Sequence, residues 1–286
     1  MLSLHSSGAV LDLLPEIGGA VSRFAVDGAD VLRPAPADTM DVLQTACFPL
    51  VPFANRIANG RFTFDGRTIQ LPKNFGDHSH VLHGQGWQNP WRTIAQDETS
   101  AALAFEHAAD AWPWDYMAEQ RFTLGPRSLR IDLKLVNRSA RAMPASLGFH
   151  PYFPRTPDTV LRADVQGAWL SDATCIPTER AGPSHFLDLV NGAPLATAPF
   201  VDHCHFGWRG AAAIEQAALN RKLVLTASPE LTCLHFYVPQ DAGFFCVEPV
   251  NAMPDAFNRP ADSASLFVIA PGESAAAWMT LTVADW

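Results

Sequence analysis

The stretch from Leu129 to Leu135 alternates strictly between apolar and charged side chains. Successive side chains of a β-strand point to opposite faces of a sheet, so this pattern predicts a strand with one buried face and one face in water. A second pattern indicates how such strands are joined. Phe62–Phe64 and Ile69–Leu71 flank the dipeptide Asp65-Gly66, which supplies the positive φ angles of a tight hairpin turn. Together the two patterns predict antiparallel strands.

Short apolar runs recur along the whole chain, and 23 prolines separate them at intervals that suit short strands and long loops. The best helical candidate, Ala211–Leu219, is rich in alanine, yet it runs into Asn220 and a strand-like partner, which favours a hairpin. We therefore expect an all-β chain in which residues 1–286 form one domain, a large antiparallel β-sandwich. Further strands are predicted at Leu103–Glu106, Leu223–Thr226, Leu234–Val238, Phe244–Glu248, Leu266–Ile269 and Ala277–Val283.

The net charge and the first residues of the chain indicate which classes of partner to expect. A formal net charge of −9 is opposite to the clustered Lys and Arg that a nucleic-acid backbone requires. Residues 1–8 lack a basic segment followed by an apolar core, and no run approaches the ~18 apolar residues of a membrane span. We expect a cytoplasmic protein without a nucleic-acid or membrane partner. Five cysteines, an odd number without a CxxC pair, are predicted to be reduced packing residues.

Charged and titratable side chains interrupt apolar segments at several places. Arg56 follows the apolar stretch Phe48–Ala54, and because burying an unpaired charge is costly, it needs a ligand or an ion-pair partner. His83 lies in a loop, Asp77–Trp87, that holds three histidines. With Asp202–His205, this loop could form a metal site, or His83 alone could point into a cleft.

Two further residues are suited to proton transfer. His150 is enclosed by aromatic residues and proline, and imidazole is the side chain best suited to move protons near neutral pH. A satisfied core histidine is the alternative. Glu248 ends an apolar strand just before Pro249. A carboxylate there is rarely buried without a partner, and desolvation would raise its pKa and make it a stronger base.

In this order along the chain, four motifs resemble those of the aldose 1-epimerase, or galactose mutarotase, family. They are Asn55-Arg56-Ile57, Leu82-His83-Gly84, His150-Pro151-Tyr152-Phe153 and Glu248-Pro249. The resemblance extends from the Gly18-Gly19 turn to Pro271-Gly272-Glu273-Ser274 and the final strand. It implies the supersandwich fold of galactose mutarotases and an isomerase that interconverts the α and β anomers of a free monosaccharide. No metal, nucleotide or redox cofactor is implied.

The resemblance also implies a role for each of two catalytic residues. Glu248 corresponds to the general base that takes the proton from the anomeric hydroxyl. His150 corresponds to the general acid that protonates the ring oxygen. One base and one acid on opposite sides of the ring suffice to open it.

Five residues are expected to bind the sugar. By the resemblance, Arg56 and His83 hold the ring and support charge near its oxygen, and Asp202 accepts hydrogen bonds from hydroxyl groups. Asn55 belongs to the same motif as Arg56. Trp87 offers a flat apolar wall to the sugar ring.

Three alternative functions remain open from the sequence. An epimerase of sugar 6-phosphates would bind the phosphate with Arg61, Arg92 and Arg209. A non-catalytic sugar-binding sandwich would keep the polar contacts without needing an acid and a base. A metal-dependent lyase or isomerase would use His78, His80, His83, His203 and His205. The sequence fixes neither the sugar nor an oligomeric state.

Overall fold

Strands make up nearly all of the regular structure in the computed structural model, which describes residues 1–259 and 265–285. Helical turns in this part of the chain are three-residue 3-10 segments at Val42–Gln44, Ala58–Gly60, Leu195–Thr197, Ala217–Leu219 and Ala256–Asn258. None of these described helices approaches the ~20 apolar residues that a bilayer requires. In chain order the strands are β1 Leu2–Ser6, β2 Ala9–Leu14, β3 Ala20–Val26, β4 Ala29–Asp30, β5 Cys47–Leu50, β6 Arg56–Ile57, β7 Arg61–Phe64, β8 Arg67–Gln70, β9 Val81–Leu82, β10 Arg92–Gln96, β11 Ser100–His107, β12 Tyr116–Gly125, β13 Ser128–Asn137, β14 Met143–Ala145, β15 Gly148–Pro154, β16 Val160–Ala163, β17 Gly167–Ser171, β18 Pro177–Ala181, β19 Ala193–Pro194, β20 Val201–Phe206, β21 Ala211–Gln216, β22 Arg221–Ala227, β23 Cys233–Val238, β24 Phe244–Val250, β25 Phe267–Ile269 and β26 Ser274–Asp285.

Two large antiparallel sheets pack against each other. The front sheet has the order β1-β2-β3-β5-β15-β24-β23-β20-β17-β18, with β4 beside β3. The back sheet has the order β10-β11-β12-β13-β26-β22-β21-β16-β19. One apolar cluster joins residues of both sheets, among them Phe24 and Phe236 of the front sheet and Leu133 and Leu281 of the back sheet. The predicted antiparallel β-sandwich is confirmed.

Strand β13 shows why the back sheet forms where the sequence predicts it. Leu129, Ile131, Leu133 and Leu135 are all buried, while the charged residues between them face outward. On both sides β13 pairs with long neighbours, β12 and β26. The alternating pattern therefore turns one complete face of this strand toward the front sheet.

The predicted turns are also confirmed. Asp65 and Gly66 have φ angles of 49° and 70°, and they join β7 to β8. Residues 211–219 begin with β21, and Asn220, with φ of 45°, turns the chain into β22. All five cysteines are free thiols, and four of them are buried.

Side chains of the front sheet alternate between its two faces. One face packs against the back sheet, and the other, outer face is available for a site. Phe149 and Phe153 of β15 belong to the core between the sheets, as do Phe245 and Val247 of β24. The side chains between them point the other way. His150 of β15 is one of these, so the residues that the sequence predicts to be catalytic lie on the outer face of the front sheet.

We predict that Leu133→Ala lowers the free energy of unfolding by about 2–5 kcal/mol, because Leu133 is fully buried in the core between the sheets. Lys134→Ala, at the neighbouring exposed position, should change it by less than about 0.5 kcal/mol. Urea unfolding followed by tryptophan fluorescence measures both variants. Equal losses would contradict the assignment of the two faces of β13.

Candidate active site

Neighbouring strands of the front sheet bring four polar side chains to one place. Glu248 of β24 lies directly opposite His235 of β23. On the next strand, Cys204 pairs with His235, and Asp202 lies two positions away, on the same face as Cys204. His150 of β15, on the other side of β24, reaches the Glu248 carboxylate. The cluster is therefore assembled by strand register and not by any local motif.

These side chains form the floor of an open cavity of about 450 Å³ on the outer face of the front sheet. Loops between β3 and β5, after β5, and around β9 supply the other walls. The cavity is lined by Arg33, Leu43, Gln44, Asn55, Arg56, Phe75, Leu82, His83, His150, Tyr152, Phe200, Asp202, His235, Tyr237, Phe244 and Glu248. A mixture of apolar rings and a few convergent polar groups is typical of a small-molecule site.

His150 and Glu248 form a close pair at the bottom of this cavity. Nε2 of His150 lies 3.3 Å from Oε1 of Glu248, and the exposed fractions of the two residues are 8% and 2%. Phe48 and Tyr152 stack on the His150 ring, with centroid distances of 4.5 Å and 4.7 Å. Neither His150 Nδ1 nor Glu248 Oε2 has a hydrogen-bond partner within the described residues. The pair is fixed in place and has unused polar atoms.

Burial sets the protonation of this pair. It lowers the pKa of His150 from 6.5 to about 3, and it raises the pKa of Glu248 well above 4.5, with a further contribution from the negative charge of Asp202. A site of low dielectric constant disfavours the charged form of both groups. Between the lowered pKa of His150 and the raised pKa of Glu248, the pair therefore carries one proton, and burial favours the neutral acid beside the neutral imidazole.

Asn55 and His83 hold each other through backbone contacts. Both residues have left-handed backbone angles, with φ of 58° and 57°. The Asn55 N–H donates to Nδ1 of His83 at 3.1 Å, and the His83 N–H donates to the Asn55 carbonyl at 2.9 Å. Because Nδ1 accepts, the ring proton is on Nε2. Burial lowers the pKa of His83 well below 6.5, so this ring is a neutral hydrogen-bond donor in the cavity wall.

A closed ring of hydrogen bonds joins four residues beside the catalytic pair. Arg56 donates to Oδ1 of Asn55 at 3.1 Å and to Oδ2 of Asp202 at 3.0 Å. With Oδ1 accepting, the Asn55 amide nitrogen must donate to Nδ1 of His235, which lies 3.2 Å away. His235 Nε2 then donates to Oδ1 of Asp202 at 2.6 Å. Each member fixes the orientation of the next.

This ring also keeps Asp202 ionised. Burial opposes its charge, but the hydrogen bond from His235 and the positive charge of Arg56 outweigh that effect, and the pKa of Asp202 lies below its ordinary value. His235 itself was not predicted from the sequence. Its only signal was a histidine inside the apolar run Leu234–Val238, and only the pairing with Glu248 reveals what it faces.

One predicted site residue, Trp87, is in a different position. Its side chain is 1% exposed and does not line the cavity. It packs behind the site, 5.6 Å from the Phe48 ring and 5.5 Å from the His83 ring, and its indole N–H donates to the Gly84 carbonyl. The prediction that Trp87 forms a wall for a ligand is wrong. The loop that carries Trp87 packs so that the ring lies beneath Phe48 and His83 and does not reach the cavity surface. The aromatic walls are instead Phe75, Tyr152, Phe200, Tyr237 and Phe244.

The histidines of the predicted metal site do not converge. His203 and His205 alternate with Asp202 along β20, so they point to the opposite face. His203 stacks on Phe186 at 3.8 Å, and His205 is fully buried against the core. Among the described residues, the ligand atoms of one group lie close enough for a metal, and its members are His150, Cys246 and Glu248. The His-rich interpretation is therefore wrong.

Comparison with known proteins agrees with the fold and with the family that the sequence resembles. The family model described as aldose 1-epimerase matches residues 1–282. The uncharacterised protein YphB of Escherichia coli K12 is 34% identical over 277 residues, which cover 94% of this chain and 93% of YphB.

Solved structures show the same architecture. A crystal structure of a protein from Escherichia coli K12 matches with a TM-score of 0.92 and 33% identity, and covers 99% of this chain and 98% of the other. A galactose mutarotase-like protein from Clostridium acetobutylicum matches with a TM-score of 0.87 over 99% of this chain and 95% of its own. At 20% identity the latter shows the fold alone. The chain belongs to the aldose 1-epimerase family.

Proposed function

We propose that this protein is a cytoplasmic aldose 1-epimerase that interconverts the α and β anomers of a free aldose. One observation carries the proposal. A carboxyl group and an imidazole lie 3.3 Å apart at the bottom of an open cavity of about 450 Å³, which is large enough for one monosaccharide. The unpaired atoms of both groups indicate a site that is completed by a ligand.

Ring opening follows from this pair without any further reactant. The Glu248 carboxylate removes the proton from the O1 hydroxyl, the C1–O1 bond becomes a carbonyl, and the C1–O5 bond breaks. O5 takes a proton from Nε2 of His150. The free aldehyde then rotates about C1–C2 and closes on its other face, while both protons return to their donors. Atoms and charge balance over the cycle.

The opening step returns the pair to the protonation state that burial favours. The step begins when the shared proton moves from Glu248 to His150, which gives a carboxylate and an imidazolium, and it ends with the neutral acid and the neutral imidazole. Burial stabilises the second arrangement, as the opposite pKa shifts of His150 and Glu248 indicate.

The surrounding residues suit hydroxyl recognition. Asp202 offers an ionised acceptor, and Arg56 and His83 offer donors. Asn55 holds both Arg56 and His235, so it acts as a positioning residue in the wall. Because the ring of hydrogen bonds is already formed, little ordering of side chains opposes binding.

The sugar 6-phosphate alternative does not have the arginines that were predicted for it. Arg61, Arg92 and Arg209 are absent from the cavity wall. Arg92 lies 3.8 Å from Glu106 and Arg209 lies 3.3 Å from Asp164, each pair exposed. A non-catalytic sugar-binding protein would bind sugars without accelerating mutarotation. Polarimetry of freshly dissolved α-glucose and α-galactose, with and without the protein, separates these functions.

We predict that Glu248→Gln lowers the mutarotation rate by about 10²- to 10⁴-fold, because the amide cannot accept the O1 proton. Glu230→Gln, at an exposed glutamate, is the matched control and should keep the wild-type rate. Circular dichroism checks that both variants fold. A folded Glu248→Gln protein with the wild-type rate would refute the assignment of the base.

We also predict the form of the pH profile. Activity requires one proton on the pair, so it is lost when a second proton binds or when the last one leaves. Because burial moves the pKa of His150 down to about 3 and that of Glu248 up, the loss of kcat/KM on the acid side should lie well below pH 6.5, and the loss on the alkaline side well above pH 4.5. Rates are measured by NMR exchange after subtracting the uncatalysed reaction. A one-proton loss of kcat/KM as the pH is lowered, centred near 6.5, the ordinary pKa of histidine, would contradict this expectation.

A further inference from the structure

Arg33 is a cation in the cavity wall without an ion-pair partner among the described residues. Arg56 is paired with Asp202, and the Glu248 carboxyl group lies 3.3 Å from the His150 imidazole. Within residues 1–259 and 265–285, no carboxylate lies within 4 Å of Arg33, and the acidic residue whose charge acts on it from farther away is Asp41. The guanidinium is therefore open to an anionic ligand, although the whole chain has a formal charge of −9.

The Arg33 guanidinium is held rigidly. Its Nη2 donates to the carbonyls of Leu43 and Thr45 at 2.7 Å and 2.8 Å. Its central carbon lies 3.9 Å from the Tyr152 ring centroid and 4.6 Å from that of Phe244. Nε and Nη1 donate to no protein group in the described part of the chain. Three N–H bonds of a fixed, partly desolvated cation, one on Nε and two on Nη1, thus remain for a ligand in the cavity.

The position of Arg33 relates it to one part of the substrate. His150 and the Arg33 guanidinium both pack against the Tyr152 ring, at 4.7 Å and 3.9 Å from its centroid, so Arg33 lies one ring away from His150, near enough for its charge to lower the pKa of His150. In the proposed reaction His150 protonates the ring oxygen O5. O5 is bonded to C5, and C5 carries the exocyclic carbon. A sugar with O5 at His150 can therefore direct its exocyclic group toward Arg33.

On the basis of the proposed function, we infer that Arg33 determines specificity by binding an anionic group on the exocyclic carbon of the aldose. A carboxylate, a sulfonate or a phosphate group can accept charge-assisted hydrogen bonds from Nη1 or Nε, although not the parallel pair of bonds, because Nη2 already donates to two carbonyls. Neutral hexoses place a single hydroxyl there. The preferred substrate class is an anionic aldose.

The experiment compares kcat/KM of the wild-type protein on matched sugars by NMR exchange between anomeric protons. The neutral sugars are glucose and galactose, and the anionic ones are glucuronate, galacturonate, glucose 6-phosphate and 6-deoxy-6-sulfoglucose. For at least one anionic sugar, kcat/KM should be tenfold or more above that for its neutral counterpart. The anion with the highest ratio identifies the group bound. Added NaCl should reduce the ratio, because it screens the charge of Arg33.

Arg33→Gln should lower that ratio by tenfold or more, and Arg33→Lys should lose less of it because the charge is kept. Arg92→Gln, which removes an arginine outside the cavity, is the matched control and should keep the wild-type ratio. Thermal melting verifies folding. If the Arg33 variants do not fold, the inference is tested by the wild-type protein alone, through its ratio of kcat/KM on anionic to neutral sugars and the dependence of that ratio on salt.

Two results would overturn the inference. One is a wild-type protein that turns over neutral sugars as well as anionic ones or better. The other is a folded Arg33→Gln protein that keeps the full anionic preference. Either result leaves the proposed mutarotation intact, whereas no acceleration with any aldose would refute the proposed function itself.

Discussion

The site depends on one constraint, the burial of a carboxyl group against an imidazole at the floor of the cavity. Such groups are tolerated in a folded protein only when they are paired or neutral. His150 and Glu248 meet this condition because they lie 3.3 Å apart and burial favours the neutral form of each, while the stacked rings of Phe48 and Tyr152 hold the imidazole in place. The same desolvation disfavours the carboxylate and imidazolium from which ring opening starts and favours the neutral forms with which it ends. The burial of this pair therefore affects both the stability of the fold and the proton transfers proposed for the reaction.

The β-sandwich supports this arrangement because four neighbouring strands of the front sheet, β15, β24, β23 and β20, have different roles on their two faces. One set of their side chains packs into the core between the sheets, and the alternate set forms the cavity floor. Strand register, set by many backbone hydrogen bonds, holds Glu248 opposite His235. A one-residue slip would turn the whole set toward the core, so the position of the site is tied to the fold itself. The ring of hydrogen bonds from Arg56 to Asp202 then fixes the side of the cavity next to the pair.

Much of the fold could be predicted from local pattern. The alternation in Leu129–Leu135 and the Asp65-Gly66 turn depend on neighbours in sequence, and both predictions are confirmed. The roles of Glu248 and His150 rest on family resemblance, and the structure places the two side chains together. His235 and Arg33 could not be found, since their partners lie in distant segments. The Trp87 prediction is wrong for the same reason, because the loop packing that hides its ring leaves no mark in the sequence. The domain assignment to residues 1–286 stays a prediction.

The most direct test of the shared proton is an NMR titration of the free protein, with ¹⁵N-labelled histidine and ¹³C-labelled glutamate, assigned by comparison with variants at His150 and Glu248. The account predicts that the His150 ring stays neutral through pH 6.5 and down to about pH 4. It also predicts that the Glu248 carboxyl group loses its proton only well above pH 4.5. Independent titration of His150 near 6.5 and of Glu248 near 4.5 would contradict it.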